Sequence, residues 1–92
     1  MSFPILLRLY STDKGGRGGP ILPGFRAVAC LDPDNLTHGY SAFFDLSGPL
    51  NPGEAVCCGV DFLTPESEGA VLRAKRFYLL EGPKVTGEAK FI

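Results

Sequence analysis

Residues 11–26 read STDKGGRGGPILPGFR, a run rich in glycine and proline that lies between two segments of alternating apolar residues. Before this run, Phe3, Ile5, Leu7 and Leu9 occupy every second position, and the alternation resumes at Phe25. A period of two places side chains on one face of a β-strand, whereas glycine and proline break strands. The run therefore predicts a strand, a long connecting loop and a second strand.

Three further segments continue the alternation, at residues 40–46, 55–62 and 85–91, and another strand is predicted within residues 72–80. Turn signals separate them, such as PG at 52–53 and EGPK at 81–84. Thr64 and Pro65 favour a single short helical turn after the fourth strand. Six strands separated by turns indicate an all-β fold formed as one domain by residues 1–92, either an antiparallel barrel or a sandwich. Small residues on the strands, such as Ala27, Gly59 and Gly87, favour a six-stranded antiparallel closed β-barrel.

The composition restricts the classes of function. Ninety-two residues suffice for one core and not for two domains. The formal net charge of −1 provides no overall positive field, so any contact with RNA has to be local. Three cysteines, of which two are neighbours, favour reduced thiols in the cytoplasm over a disulfide framework. No segment approaches the ~20 apolar residues of a membrane helix, so no membrane association is expected.

Reactive groups do not form a recognisable catalytic or cofactor motif. The glycine-rich run lacks the GxxxxGK[ST] pattern of a phosphate loop, and no strong helix-forming segment follows it, so no bound nucleotide is expected. His38 is the only histidine and has no cysteine at metal-site spacing, so no metal site is expected. The sequence therefore predicts a protein that is not an enzyme and carries no cofactor.

The order of the turn motifs resembles the C-terminal β-barrel, domain III, of the elongation factor Tu family. STDKGGR at 11–17, followed by Pro20 and by GFR at 24–26, resembles the opening of that domain. NLTHG at 35–39, PGE at 52–54, and EG at 81–82 with the later Gly87 resemble its three downstream turns. The resemblance spans nearly the whole chain and implies a six-stranded antiparallel barrel, in agreement with the strand count.

In the elongation factor this domain helps to bind the T-stem backbone of aminoacyl-tRNA. The family's contact positions fall on Arg17, Thr37, Glu81 and Gly82 of this chain. Two positions depart from the family: glycine stands at position 18, where the family has histidine or a similar polar residue, and threonine stands at position 64, where some members have lysine. The resemblance thus implies an RNA contact centred on Arg17 with an altered neighbour.

Further candidate contacts come from the residues alone. They are Arg26, Arg73, Lys75, Arg76 and Tyr78, because arginine and lysine near an aromatic ring suit a phosphate backbone. The alternatives are structural: Arg17 solvated at a loop tip, Arg26 paired with an acid across strands, and the other basic residues on a solvated strand face.

The outward positions of the strands carry many apolar side chains, namely Leu6, Tyr10, Val28, Phe43, Tyr78 and Leu80. A free-standing barrel with such a surface has to cover it or offer it to a partner. Together with the family resemblance, which implies a bacterial protein, this surface predicts a non-catalytic binding module of the cytoplasm that binds a protein partner or a second copy of itself. The alternative function is tRNA or RNA binding related to translation elongation.

Overall fold

Six antiparallel strands close into a barrel in the computed structural model, which describes residues 2–34 and 39–92. The strands are β1 (Phe3–Leu9), β2 (Arg26–Cys30), β3 (Tyr40–Asp45), β4 (Ala55–Phe62), β5 (Arg76–Glu81) and β6 (Lys84–Phe91). Their order around the barrel is β1-β4-β3-β2-β5-β6. The prediction of an all-β, six-stranded closed antiparallel barrel is therefore confirmed.

The core follows the alternation seen in the sequence. Ile5, Leu7 and Leu9 of β1 are fully buried. Phe77 of β5 is also fully buried, and its ring centroid lies 5.8 Å from that of Phe62. Rings at such separations pack favourably, and each buried aliphatic or aromatic side chain stabilises the fold by roughly 1.5–3 kcal/mol. This apolar core fixes which side chains face outward on every strand.

The helix α1 (Pro65–Ala74) is longer than the single turn expected from the sequence. Thr64 caps it by accepting a hydrogen bond from the Ser67 backbone N–H, and it ends at Lys75 in the left-handed conformation, with φ of 68°. Val71 is fully buried in the barrel core, which stabilises turns that local propensity alone does not favour. The prediction of a single short helical turn was wrong, because the helix has ten residues and includes Arg73. The strand predicted within residues 72–80 is β5, which begins only at Arg76.

The antiparallel topology places three connections at one end of the barrel: residues 10–25, residues 46–54 and the turn at 82–83. Thr12–Lys14 forms a 3-10 turn, and an isolated bridge joins Ile21 to Leu50 over the core. Gly16 packs so closely that a Cβ there would collide with the carbonyl oxygen of Tyr10. The glycine-rich run is thus a packed loop over the end of the barrel.

Two outward positions differ from the expectation drawn from alternation. Leu80 is only 8% exposed, because it pairs with Val28 of the neighbouring strand and follows a register shift between β5 and β6. Leu80 is therefore not part of an exposed apolar surface. Cys30, which alternation places on the same outward face as Arg26 and Val28, is fully buried, and its Sγ donates a hydrogen bond to the Asp32 carbonyl. Within the described ranges, α1 and the 3-10 turn are both too short to cross a membrane.

Candidate functional site

Arg17 contacts the β5–β6 turn rather than projecting into solvent. Its Nη1 lies 3.2 Å from Glu81 Oε1, and its guanidinium carbon lies 5.3 Å from the centre of the Phe25 ring. The two charged side chains are only 25% and 28% exposed. Among the described residues, Arg17 Nε and Nη1 have no partner with hydrogen-bond geometry, so the contact with Glu81 is an ion pair.

Neighbouring hydrogen bonds hold this contact in place. Thr86 Oγ1 donates to Glu81 Oε2 at 2.5 Å, and Lys84 Nζ donates to the Gly16 carbonyl at 2.7 Å. Thr12 Oγ1 donates to the Arg17 carbonyl at 2.8 Å. The structure therefore brings together the predicted contacts Arg17 and Glu81, with Gly82 next to them in a left-handed turn.

This arrangement sets a condition on any ligand that uses Arg17. An incoming anion would compete with Glu81 for the guanidinium and would have to displace or share that carboxylate. Thr37, the fourth position implied by the family resemblance, lies outside the described residues.

Arg26 lies on a second surface, formed by the outer face of β2 and β3. Its guanidinium carbon is 5.4 Å from the centre of the Phe43 ring, which belongs to the residue directly opposite in the register. The facing residue is thus aromatic rather than acidic. Beside them Val28, Phe43 and Leu63 line an open groove of about 480 Å³, which we call the apolar groove.

A third surface carries basic side chains on the outer face of β1, β5 and β6. In one row of the sheet Lys90 lies opposite both Leu6 and Arg76, and in the next row Glu88 lies opposite both Arg8 and Tyr78. A depression of about 320 Å³ is lined by the charged residues Arg8, Arg76, Glu88 and Lys90.

A second depression, of about 430 Å³, continues from Arg8 to Tyr10, Ser11 and Lys14. We call the four cations Arg8, Lys14, Arg76 and Lys90 the basic band. All four residues are exposed.

The basic band includes Arg76, which the sequence had identified, and borders Tyr78, but Arg8, Lys14 and Lys90 were missed. Alternation alone places Arg8 and Lys90 on outward positions. Arg8 and Lys90 come close together because β1 pairs with β6, and these two strands are distant in the sequence. Arg73 and Lys75 lie instead in the last turn and at the C-cap of α1.

Burial and neighbouring groups raise the pKa of two side chains, Tyr10 and Cys58. Burial, with Glu88 and then Tyr78 nearby, raises the pKa of Tyr10 above its usual range. Burial, followed by the electrostatic influence of Asp45 and then of Cys57, raises the pKa of Cys58 to about 11. Both groups are therefore neutral at physiological pH, and Tyr10 presents an uncharged phenol beside the basic band.

Residues 2–34 and 39–92 contain no group of three or more His, Cys, Asp or Glu side chains able to hold a metal ion. Comparison with known protein families finds no family model that matches the chain, and comparison with curated proteins finds no significant match.

Proposed function

We propose that this chain is a non-catalytic binding module that holds a protein partner in the apolar groove. The observation that carries the proposal is the exposure of Leu63, which reaches 66% beside Val28, itself 36% exposed, and the Phe43 ring. These side chains lie on the outside of a barrel whose interior is already filled. Apolar side chains grouped in one groove are typical of a site that another molecule covers.

The closed topology limits how a partner can bind. Each of the six described strands is hydrogen-bonded to a neighbour on both sides, so a partner cannot add a strand to these edges along their paired lengths. Recognition then depends on side chains. A partner has to offer apolar groups to Val28, Phe43 and Leu63.

Arg26 specifies the polar part of the partner. It is exposed at the rim of the groove, with its guanidinium held over Phe43. A carboxylate is the group that pairs with such a guanidinium at close range. The partner proposed is therefore a protein segment in which an aspartate or glutamate flanks one or two large apolar side chains.

We also propose that this six-stranded barrel belongs to the domain III family of elongation factor Tu. Its support is the placement of motif residues: Arg17 of the glycine-rich loop and Glu81 of the closing turn meet at one end of the barrel. The assignment predicts that an experimental structure superposes strand for strand on that domain. A different strand order would contradict it.

Selection from a peptide library displayed on phage tests the partner chemistry. The chain is immobilised, and selected peptides are measured by fluorescence anisotropy against the chain and three variants. Val28→Ser and Leu63→Ser remove apolar contacts inside the groove. Leu22→Ser is the matched control, because Leu22 is 56% exposed but does not line the groove.

The proposal predicts selected peptides that combine large apolar residues with an acidic residue. Their affinity should fall about tenfold or more in Val28→Ser and Leu63→Ser and stay within twofold in Leu22→Ser, since losing a buried apolar contact costs about 1–3 kcal/mol. Peptides that bind all four proteins equally would contradict the proposal. If the chain instead associates with itself in a concentration-dependent way, and Leu63→Ser abolishes this association, the molecule that occupies the apolar groove is a second copy of the chain.

A further inference from the structure

We propose that the basic band is a binding site for single-stranded nucleic acid, with phosphates on its cations and bases against Tyr10 and Tyr78. This face is separate from the apolar groove and from the Arg17–Glu81 contact. It also differs from the RNA contact that the family resemblance implies, which uses Arg17, Thr37, Glu81 and Gly82. The proposal therefore does not depend on the protein-binding function.

The register places the cations close together although they are far apart in sequence. Lys90 lies between Leu6 and Arg76, so two cations stand on adjacent strands, about 5 Å apart at the backbone. Arg8 lies one row further along β1, about 7 Å from that row. Lys14 extends the band beyond the end of β1. Cations from β1, β5, β6 and the glycine-rich loop thus lie on one continuous part of the barrel surface.

Charge is concentrated on this face. The residues lining the two depressions include four of the nine basic side chains of the protein and one of its ten acidic side chains, Glu88. Within the described parts of the chain, the side chains of Arg8, Lys14, Arg76 and Lys90 form no hydrogen bond or ion pair. A chain with a net charge of −1 therefore presents a local positive surface whose donors are available to phosphate oxygens.

The aromatic neighbours distinguish a nucleic acid from other polyanions. Tyr10 lines the second depression, and Tyr78 lies directly opposite Glu88 in the register. Both tyrosines are only partly buried, which leaves ring surface for stacking. Base stacking on aromatic side chains beside a cationic track is how proteins bind single strands without reading their sequence. An acidic peptide has no bases to stack on the tyrosines.

The length of the face suits a short segment. The backbone from Leu6 on β1 to Tyr10, which directly follows β1, spans about 13 Å, which corresponds to about four stacked nucleotides. Glu88 lies inside the band and repels phosphate, so it limits affinity. Its removal is therefore expected to strengthen binding, whereas loss of structure would weaken it.

Fluorescence anisotropy with a labelled 12-nucleotide oligouridine tests the proposal, at 50 mM and 200 mM KCl. Four phosphate contacts, one for each cation of the basic band, predict a slope of log affinity against log salt of about −2.8, which is about 50-fold weaker binding at the higher salt. Arg8→Gln and Lys90→Gln should each reduce the magnitude of the slope by about 0.7 and weaken binding at 50 mM KCl several-fold. Glu88→Gln should tighten binding about threefold.

Arg26→Gln is the matched control, because it removes the same charge from an exposed strand position outside the band. It should leave the salt slope unchanged, and thermal unfolding of each variant verifies its fold. The proposal is overturned by no saturable binding at 100 µM protein, by equal weakening in Arg26→Gln, or by equal binding of an oligoglutamate peptide. Weaker binding by Glu88→Gln would overturn it as well.

Discussion

Arg17 of the glycine-rich loop and Glu81 of β5 form an ion pair of 3.2 Å across the end of the barrel, although they are 64 positions apart in the sequence. Phe25 lies on the guanidinium, and Thr86 donates to the second carboxylate oxygen. The pair therefore fixes the loop to the β5–β6 hairpin. Arg17, which the family resemblance identifies as a phosphate contact, therefore already pairs with the carboxylate of Glu81 in the same chain.

Loss of this pair should lower the free energy of unfolding in a coupled way. Arg17→Ala and Glu81→Gln, alone and combined, form a double-mutant cycle measured by urea unfolding. Because both side chains are mostly buried yet reach solvent, we expect a coupling energy of about 0.5–1 kcal/mol. Strictly additive effects would show that the contact does not stabilise the loop.

Two glycines of the same loop should respond oppositely to alanine. At Gly16 a Cβ collides with backbone oxygens of Tyr10 and Ser11, so Gly16→Ala should lower the free energy of unfolding by about 2 kcal/mol or more. At Gly18 nothing lies within 4 Å of the added Cβ. Gly18→Ala should leave stability unchanged or raise it by up to about 1 kcal/mol. Thermal and urea unfolding compare them, and equal losses would contradict the packing described for this loop.

Removing the N-cap of α1 should destabilise the protein. Thr64 Oγ1 accepts from the Ser67 backbone N–H at 3.2 Å, and Thr64→Ala should cost about 1 kcal/mol. Thr64→Ser keeps the hydroxyl and is the control, with a loss below half that value. An unchanged free energy of unfolding in Thr64→Ala would indicate that the cap does not stabilise the helix.

Thiol reactivity should differ between adjacent residues of β4. Cys57 is exposed, whereas Cys58 is half-buried and its pKa is raised to about 11. Because the thiolate is the reactive form, iodoacetamide at pH 8 should modify Cys57 first and leave Cys58 unmodified in the native protein. Mass spectrometry of the native chain and of Cys57→Ser measures this order. Rapid modification of Cys58 in Cys57→Ser would contradict it.

The same thiol makes stability depend on alkaline pH. The pKa of Cys58 in the folded protein, about 11, exceeds the unfolded value of 9.0, so the unfolded state loses its proton first as pH rises. The contribution to stability is complete below pH 9 and declines between about pH 9 and 11. In urea titrations Cys58→Val should show a smaller decline over this window than the native chain. An identical decline in the two proteins would show that groups other than Cys58 cause the loss of stability.

The sequence predicted the strands well and their long-range contacts incompletely. Alternation gave the inward faces of β1, β3 and β4 because burial on a strand repeats every two residues. It did not predict α1 at full length, since Val71 stabilises that helix through the core. It also left Arg8, Lys14 and Lys90 unconnected, because the basic band exists only once β1 pairs with β6. The family resemblance located Arg17 and Glu81 without indicating that they contact each other.

Amide chemical-shift mapping tests most directly whether the apolar groove holds the partner. A selected acidic and apolar peptide is titrated into the isotope-labelled chain. We expect the largest shifts at residues 26–28, 41–43 and 63, and we expect Leu63→Ser to remove them while Leu22→Ser does not. Largest shifts on β1 and β6, or shifts that persist in Leu63→Ser, would contradict it.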